Sequence, residues 1–251
     1  MRRRNITIIR KPLSTWEKFL MKKAIQVPLS WNTMTLAKSI QLSRAMTTLD
    51  QILRNKIVAI IRGADPADVL RIAEALQSGG VNVLEVTLNS PNAFRVLTEL
   101  SGKMKNMLIG AGTVLSPVDA ERSVEAGAKF IISPNLNPDT IATTKKLGVV
   151  SIPGAYTATE VVNAWSSGGD IIKIFPAASA DYIKVLRCPL SHILMMPTGG
   201  INPENILEFR KAGAVAFGIG TSLVDVKNKI TDEYLKRIAE NARKFVTAIS
   251  E

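Results

Sequence analysis

Lys173 stands inside Ile171–Ala177 (Ile-Ile-Lys-Ile-Phe-Pro-Ala), a run of strand-forming apolar residues that a proline ends. A strand this apolar reads as buried. An ammonium there must pair or give up its proton, because burial disfavours the charged form. A neutral lysine amine is a nucleophile that can form a Schiff base with a carbonyl. The alternative is a strand lysine whose end escapes to solvent, and the segment alone leaves both open. Glu85 lies in a second apolar run, Val83-Leu84-Glu85-Val86-Thr87-Leu88. A buried carboxyl with a raised pKa suits a proton shuttle near neutrality, while its plain alternative is an ion pair with Lys173 or Arg62. Arg62 closes the run Ile57–Arg62, and its planar fork matches two oxygens of a carboxylate or phosphate, unless it makes a rim ion pair. Acid plus amine in one cavity is what imine chemistry needs.

The elements that must position these groups recur at a steady interval. Apolar β-branched runs cover Ile57–Arg62, Val81–Leu88, Met107–Val114, Phe130–Pro134, Val149–Pro153, Ile171–Phe175, Ile193–Pro197 and Ala214–Gly220, with starts 19 to 26 residues apart. Between them lie helical stretches. Asp65-Pro66, Ser90-Pro91, Ser116-Pro117, Asn137-Pro138 and Asn202-Pro203 mark their starts, and Gly79-Gly80, Gly127, Gly148, Gly168 and Gly213 their stops. Strands alternating with helices imply parallel pairing. Eight units in about 200 residues predict an α/β fold, a single-domain (β/α)8 TIM barrel. A doubly wound sheet would bring Gly-x-Gly-x-x-Gly after its first strand, which Arg62-Gly63-Ala64-Asp65 is not. A short helix over Thr47–Asn55 would plug the barrel's N-terminal end, and Asp232–Ile249 is the last helix.

In such a barrel, function sits at the C-terminal ends of the strands. Those ends bring together Arg62, Glu85 with Thr87, Thr113, Ser133-Pro134, Pro153-Gly154, Lys173, Thr198-Gly199-Gly200 and Gly218–Ser222. The two Gly-rich turns, with Gly199, Gly200 and Gly220, let backbone N–H groups approach a phosphate. Phe175 and Pro176 wall the pocket beside the lysine.

Composition narrows the function classes. One cysteine, Cys188, rules out an internal disulfide and a multi-cysteine metal site, and one histidine, His192, leaves no His-rich metal cluster. The net charge is +11, but residues 1–45 hold ten Lys/Arg against one acid, or +9, leaving 22 basic and 20 acidic side chains, or +2, on the rest. The body has no basic face that calls for nucleic acid. No stretch reaches the roughly 18 apolar residues of a membrane span. Residues 1–45 are a basic, acid-poor leader, read either as an organelle-targeting peptide or as sequence upstream of a start at Met46. The second reading is preferred, with a cytoplasmic location and residues 46–251 as the barrel domain.

From roughly Leu49 to Ile249 the chain resembles the bacterial 2-keto-3-deoxy-6-phosphogluconate (KDPG) / 4-hydroxy-2-oxoglutarate (KHG) aldolase family. The matching stretches are Val58-Ala-Ile-Ile-Arg62, Gly79-Gly-Val-Asn-Val-Leu-Glu-Val-Thr-Leu88, Ile109-Gly-Ala-Gly-Thr-Val114, Ile132-Ser-Pro-Asn135, Ile152-Pro-Gly154, Ile172-Lys-Ile-Phe-Pro-Ala177 and Pro197-Thr-Gly-Gly-Ile201. The resemblance implies a metal-free, cofactor-free class I aldolase, usually a homotrimer, cleaving a 2-keto-4-hydroxy acid to pyruvate and an aldehyde. It implies Lys173 as the Schiff-base lysine and Glu85 as the proton carrier. By the same resemblance Arg62 and Thr113 would hold the pyruvate carboxylate, Pro134 and Phe175 would line the pocket, and Gly199, Gly200, Gly220 and Thr221 would receive the phosphate. Asn89 stands where some members have an arginine, Thr221 replaces a serine, and Ala178–Asp181 is a shorter, less glycine-rich connection. Leu88–Pro91 looks like the branch acting on the galactonate-derived epimer (KDPGal), whereas Thr198 looks like the KDPG branch. Thr198 carries more weight because a hydroxyl beside the substrate's C4 can sense its stereochemistry. A sugar-phosphate isomerase or epimerase, and a non-catalytic phosphate-binding barrel, are the rival readings.

Overall fold

The computed structural model describes residues 46–250. The basic segment 1–45 lies outside the described residues. The chain runs α1 (Thr48–Asn55), β1 (Ile57–Ile61), α2 (Pro66–Ser78), β2 (Val83–Thr87), α3 (Ala93–Lys103), β3 (Leu108–Gly112), α4 (Pro117–Glu125), β4 (Phe130–Ile132), α5 (Pro138–Lys146) and β5 (Val150–Ile152). It continues as β6 (Gly154–Ala155), α6 (Ala158–Ser166), β7 (Ile172–Ile174), α7 (Ala180–Arg187), β8 (Met195–Pro197), α8 (Ile206–Lys211), β9 (Phe217–Ile219) and α9 (Asp232–Ser250). Each of the eight expected apolar runs carries a strand, shorter at its ends than the run itself.

This is an α/β fold in which all the paired strands are parallel. Six strands form one sheet in the order β5-β4-β3-β2-β1-β9, and three form another in the order β6-β7-β8. Pro153 explains one join: β5 pairs with β4 and β6 with β7, so a single chain run serves both sheets across the proline. A proline has no N–H for a ladder, but its carbonyl still accepts from Lys173 N–H at 2.9 Å. At the other side a single parallel bridge, Thr198 to Gly218, links the end of β8 to β9.

Local chemistry sets the helix starts. Asp65, Ser116 and Asn137 each accept a backbone N–H of the helix that follows, with proline at its first turn. Thr47 and Asp50 make a reciprocal capping box on α1. Two expected starts are corrected. Ser90-Pro91 does not cap α3, which begins at Ala93 after Asn92, because the Ser90 hydroxyl is bonded to Gly63 and Thr87 instead. Asn202-Pro203 precedes α8 by a turn, since Asn202 Oδ1 accepts from Glu204 and Asn205 N–H and closes an Asx turn there.

Strand alternation divides the core. Ile57, Ala59, Ile61, Leu84, Val86, Ile172 and Ile174 face the helices in the larger cluster. Val58, Val83, Phe130, Ile132, Ile152 and Met196 face the other way, into a second cluster that also takes Ile52 from α1. Helix α1 therefore packs on the strands from inside, and burying a side chain such as Ile52 or Phe130 there contributes about 1.5–3 kcal/mol. With a side-chain period of two, Glu85 and Lys173 share the direction of this second cluster rather than that of the helices.

Candidate active site

Glu85 is the middle residue of β2 and Lys173 the middle residue of β7, and both are buried at 1% and 3% exposure. Both carboxylate oxygens of Glu85 lack a hydrogen-bond partner. Among the described residues no salt bridge joins Glu85 to Lys173 or to Arg62. The ion-pair reading of the glutamate is thereby corrected: the groups sense each other's charge without closing on one another. Burial pushes the Glu85 carboxyl above the ordinary carboxylate range, against the pull of Lys173 and Arg62. Burial likewise pulls the Lys173 ammonium below its ordinary range, with Glu85 opposing and Arg62 assisting. Lys173 Nζ does not escape to solvent; it lies 5.0 Å from the centre of the Phe175 ring. An acid biased toward its protonated form and an amine biased toward its neutral form are what carbonyl addition and proton transfer require.

Glycines make the room for these groups. A Cβ on Gly112 would stand 2.5 Å from Glu85 Oε1, so β3 admits the carboxylate only because that residue has no side chain. Gly218 does the same for Thr198, whose buried Oγ1 has no hydrogen-bond partner. Gly112 was visible in the sequence only as part of Gly110-Ala-Gly-Thr113, and its role as a clearance was not legible there.

Arg62, Phe175, Thr198, Gly199, Gly200, Gly220 and Thr221 line one cavity of about 420 Å³. These seven residues, drawn from the ends of β1, β7, β8 and β9, are brought together in space. Phe175 links the cavity to Lys173 beneath its ring. Gly199 and Gly200 have φ of +96° and +71°, which favours glycine at the turn after β8. Two side chains fix the Gly-rich turns: Ser222 donates to the Ile201 carbonyl at 2.6 Å, and Asn205 to the Gly200 carbonyl at 2.9 Å. The cavity also takes in Ile60, Asp225, Val226 and Lys227, which the sequence had not singled out. Thr113 and Pro134 are not in this lining. Thr113 follows β3 directly with a φ of +57°, and Pro134 lies just past β4, its carbonyl against Gly154. Among the described residues no group of three or more His, Cys, Asp and Glu is placed to hold a metal ion, and no helix is long and apolar enough to cross a membrane.

A buried amine and a buried acid on the strand face away from the helices of a parallel α/β scaffold form a candidate site for carbonyl addition and proton transfer. The family model described as KDPG and KHG aldolase matches residues 49–240, and the chain belongs to that family. It is 32% identical over 201 residues to the 2-dehydro-3-deoxy-6-phosphogalactonate aldolase of Escherichia coli K12, covering 78% of this chain and 95% of that protein. It is 34% identical over 178 residues to the KHG/KDPG aldolase of the same organism, covering 70% and 83%. Among solved structures, the KDPG aldolase from Legionella pneumophila, with pyruvate captured as a covalent carbinolamine, superposes with a TM-score of 0.70 at 30% identity, covering 78% of this chain and 96% of that one. The protein is an aldolase, a carbon–carbon lyase.

Proposed function

We propose that this aldolase works through a Schiff base on Lys173 and cleaves KDPG to pyruvate and glyceraldehyde 3-phosphate, with KHG as a second substrate giving pyruvate and glyoxylate. The observation that carries the reading is the unpaired burial of Lys173 and Glu85 in one electrostatic environment. Lys173 Nζ adds to the C2 carbonyl, and loss of water gives a protonated imine. Removal of the C4 hydroxyl proton breaks the C3–C4 bond and sends its electron pair toward that nitrogen, releasing the aldehyde and leaving an enamine. Protonation at C3 and hydrolysis then release pyruvate and restore the amine. Glu85 carries the protons in these steps. Arg62 holds the carboxylate, Phe175 walls the cavity beside Lys173, and the turns at Gly199, Gly200, Gly220 and Thr221 take the phosphate; Thr113 and Pro134, outside that lining, are assigned to the pyruvyl end of the substrate.

The scaffold for this chemistry is read as one closed eight-stranded barrel. Its joins are the run through Pro153 and the Thr198–Gly218 bridge. Residues 46–251 form the catalytic unit, which works in the cytoplasm as a homotrimer. The relatives at 32% and 34% identity carry galactonate and gluconate names respectively, so similarity does not choose between the epimers. The unpartnered Thr198 hydroxyl favours KDPG, because a buried hydroxyl without a protein partner is available to substrate. Side-by-side assay of KDPG, KDPGal and KHG tests this: the highest kcat/KM on KDPG supports the reading, and a tenfold preference for KDPGal overturns it in favour of the second epimer.

A further inference from the structure

Arg62 sits at the open end of β1 with its side chain exposed, and among the described residues its guanidinium has no hydrogen-bond or ion-pair partner. The peptide groups on either side are held instead. The Ile61 carbonyl accepts from Thr87 Oγ1 at 3.3 Å, and Gly63 N–H donates to Ser90 Oγ at 2.8 Å. The two hydroxyls are 3.0 Å apart. Because Thr87 spends its proton on Ile61, the hydrogen between the hydroxyls belongs to Ser90. The chain of donors is therefore fixed: Gly63 N–H to Ser90, Ser90 to Thr87, Thr87 to the Ile61 carbonyl. A turn bond from Ser90 N–H to the Thr87 carbonyl, 2.9 Å, sets the spacing of the two hydroxyls on the β2 end.

We propose that Thr87 and Ser90 are positioning residues for Arg62: their hydroxyl pair clips the peptide groups before and after the arginine to the end of β2 and so aims its guanidinium into the cavity. The proposal rests on the reading of Arg62 as the carboxylate clamp. The clip explains why Ser90 does not cap α3, and it uses both hydroxyls fully. It also ties the clamp to the strand that carries Glu85, so that carboxylate holder and proton carrier keep one geometry.

The test is a kinetic double-mutant cycle on Arg62→Ala, Ser90→Ala and the pair, with Ser90→Thr as the conservative variant. Ser90→Ala is expected to raise KM for the keto acid about fivefold, the scale of one hydrogen bond, with kcat held within a factor of about two. Arg62→Ala should raise KM further, and adding Ser90→Ala to it should change nothing more, because the clip then has nothing to aim. Ser90→Thr should restore most of the loss. The nearly isosteric Thr87→Val, which removes the other hydroxyl, should reproduce the Ser90→Ala split. If Arg62→Ala leaves KM unchanged, the clamp reading falls and the clip with it. If Arg62→Ala raises KM but the Ser90 and Thr87 variants do not, or if their effects persist undiminished on the Arg62→Ala background, the clamp stands and the positioning role is overturned.

Discussion

Substituting Gly112 by alanine tests the proton-carrier role of Glu85 without touching its charge. The added Cβ would sit 2.5 Å from Glu85 Oε1, 2.7 Å from Cδ and 3.1 Å from Oε2. Ordinary van der Waals contact begins near 3.4 Å, so the carboxylate must retreat by close to an ångström. Gly112 does not have a positive φ, so alanine suits the backbone and the strain falls on the side chain alone. A misplacement of about 1 Å of a catalytic group costs about 10²-fold in rate, or about 2.7 kcal/mol of barrier. The assay is pyruvate release from KDPG at saturation, with Tm measured alongside. Gly102→Ala serves as a control, because a Cβ there meets nothing within 4 Å. We expect kcat to fall about 10²-fold for Gly112→Ala and to stay at the parent value for Gly102→Ala. A folded Gly112→Ala protein retaining more than about a third of parent kcat would refute the reasoning, since Glu85 would then not need its observed position.

Three further outcomes follow from the same geometry. Replacing Thr198 by valine removes a buried hydroxyl that has no protein partner, so kcat/KM on KDPG should drop about tenfold while that on KDPGal changes little; equal losses on both epimers would remove Thr198 as the stereochemical sensor. Arg62 lowers the pKa of both Lys173 and Glu85, so Arg62→Leu should raise both; the pH at which Lys173 becomes reactive toward pyruvate should move upward, and a shift downward would contradict the assigned electrostatics. Asp170 accepts from Lys145 at 2.6 and 2.7 Å and from Ser151 N–H at 2.8 Å beside β5; Asp170→Ala should cost about 1 kcal/mol of stability by thermal denaturation while KM stays unchanged.

Much of this arrangement was legible in the sequence because it is periodic. The apolar runs Val83–Leu88 and Ile171–Phe175 marked Glu85 and Lys173 as buried, and the regular spacing of the runs gave the α/β order; the face the two side chains take, away from the helices, shows only once the strands are packed. Where Pro followed a capping residue, the same signal meant two things: Asp65, Ser116 and Asn137 cap helices, whereas Ser90 and Asn202 serve bonds outside the helix. The difference lies in what each side chain meets in space. For Ser90 those are Gly63, 27 residues away, and Thr87. The glycine at 112 likewise reads only as one residue of the run Met107–Val114 until the Glu85 carboxylate is seen beside it. The cavity residues Asp225, Val226 and Lys227 were missed because they lie in an irregular loop with no periodic signal and no motif.

The central claim is that Lys173 forms the imine. Incubating the full-length protein with pyruvate and borohydride, then mapping the modified peptide by mass, reads this directly. The account requires one reduced pyruvyl adduct, on Lys173, and its loss in Lys173→Ala. A folded protein that gives no adduct, or carries it on another lysine, would contradict it.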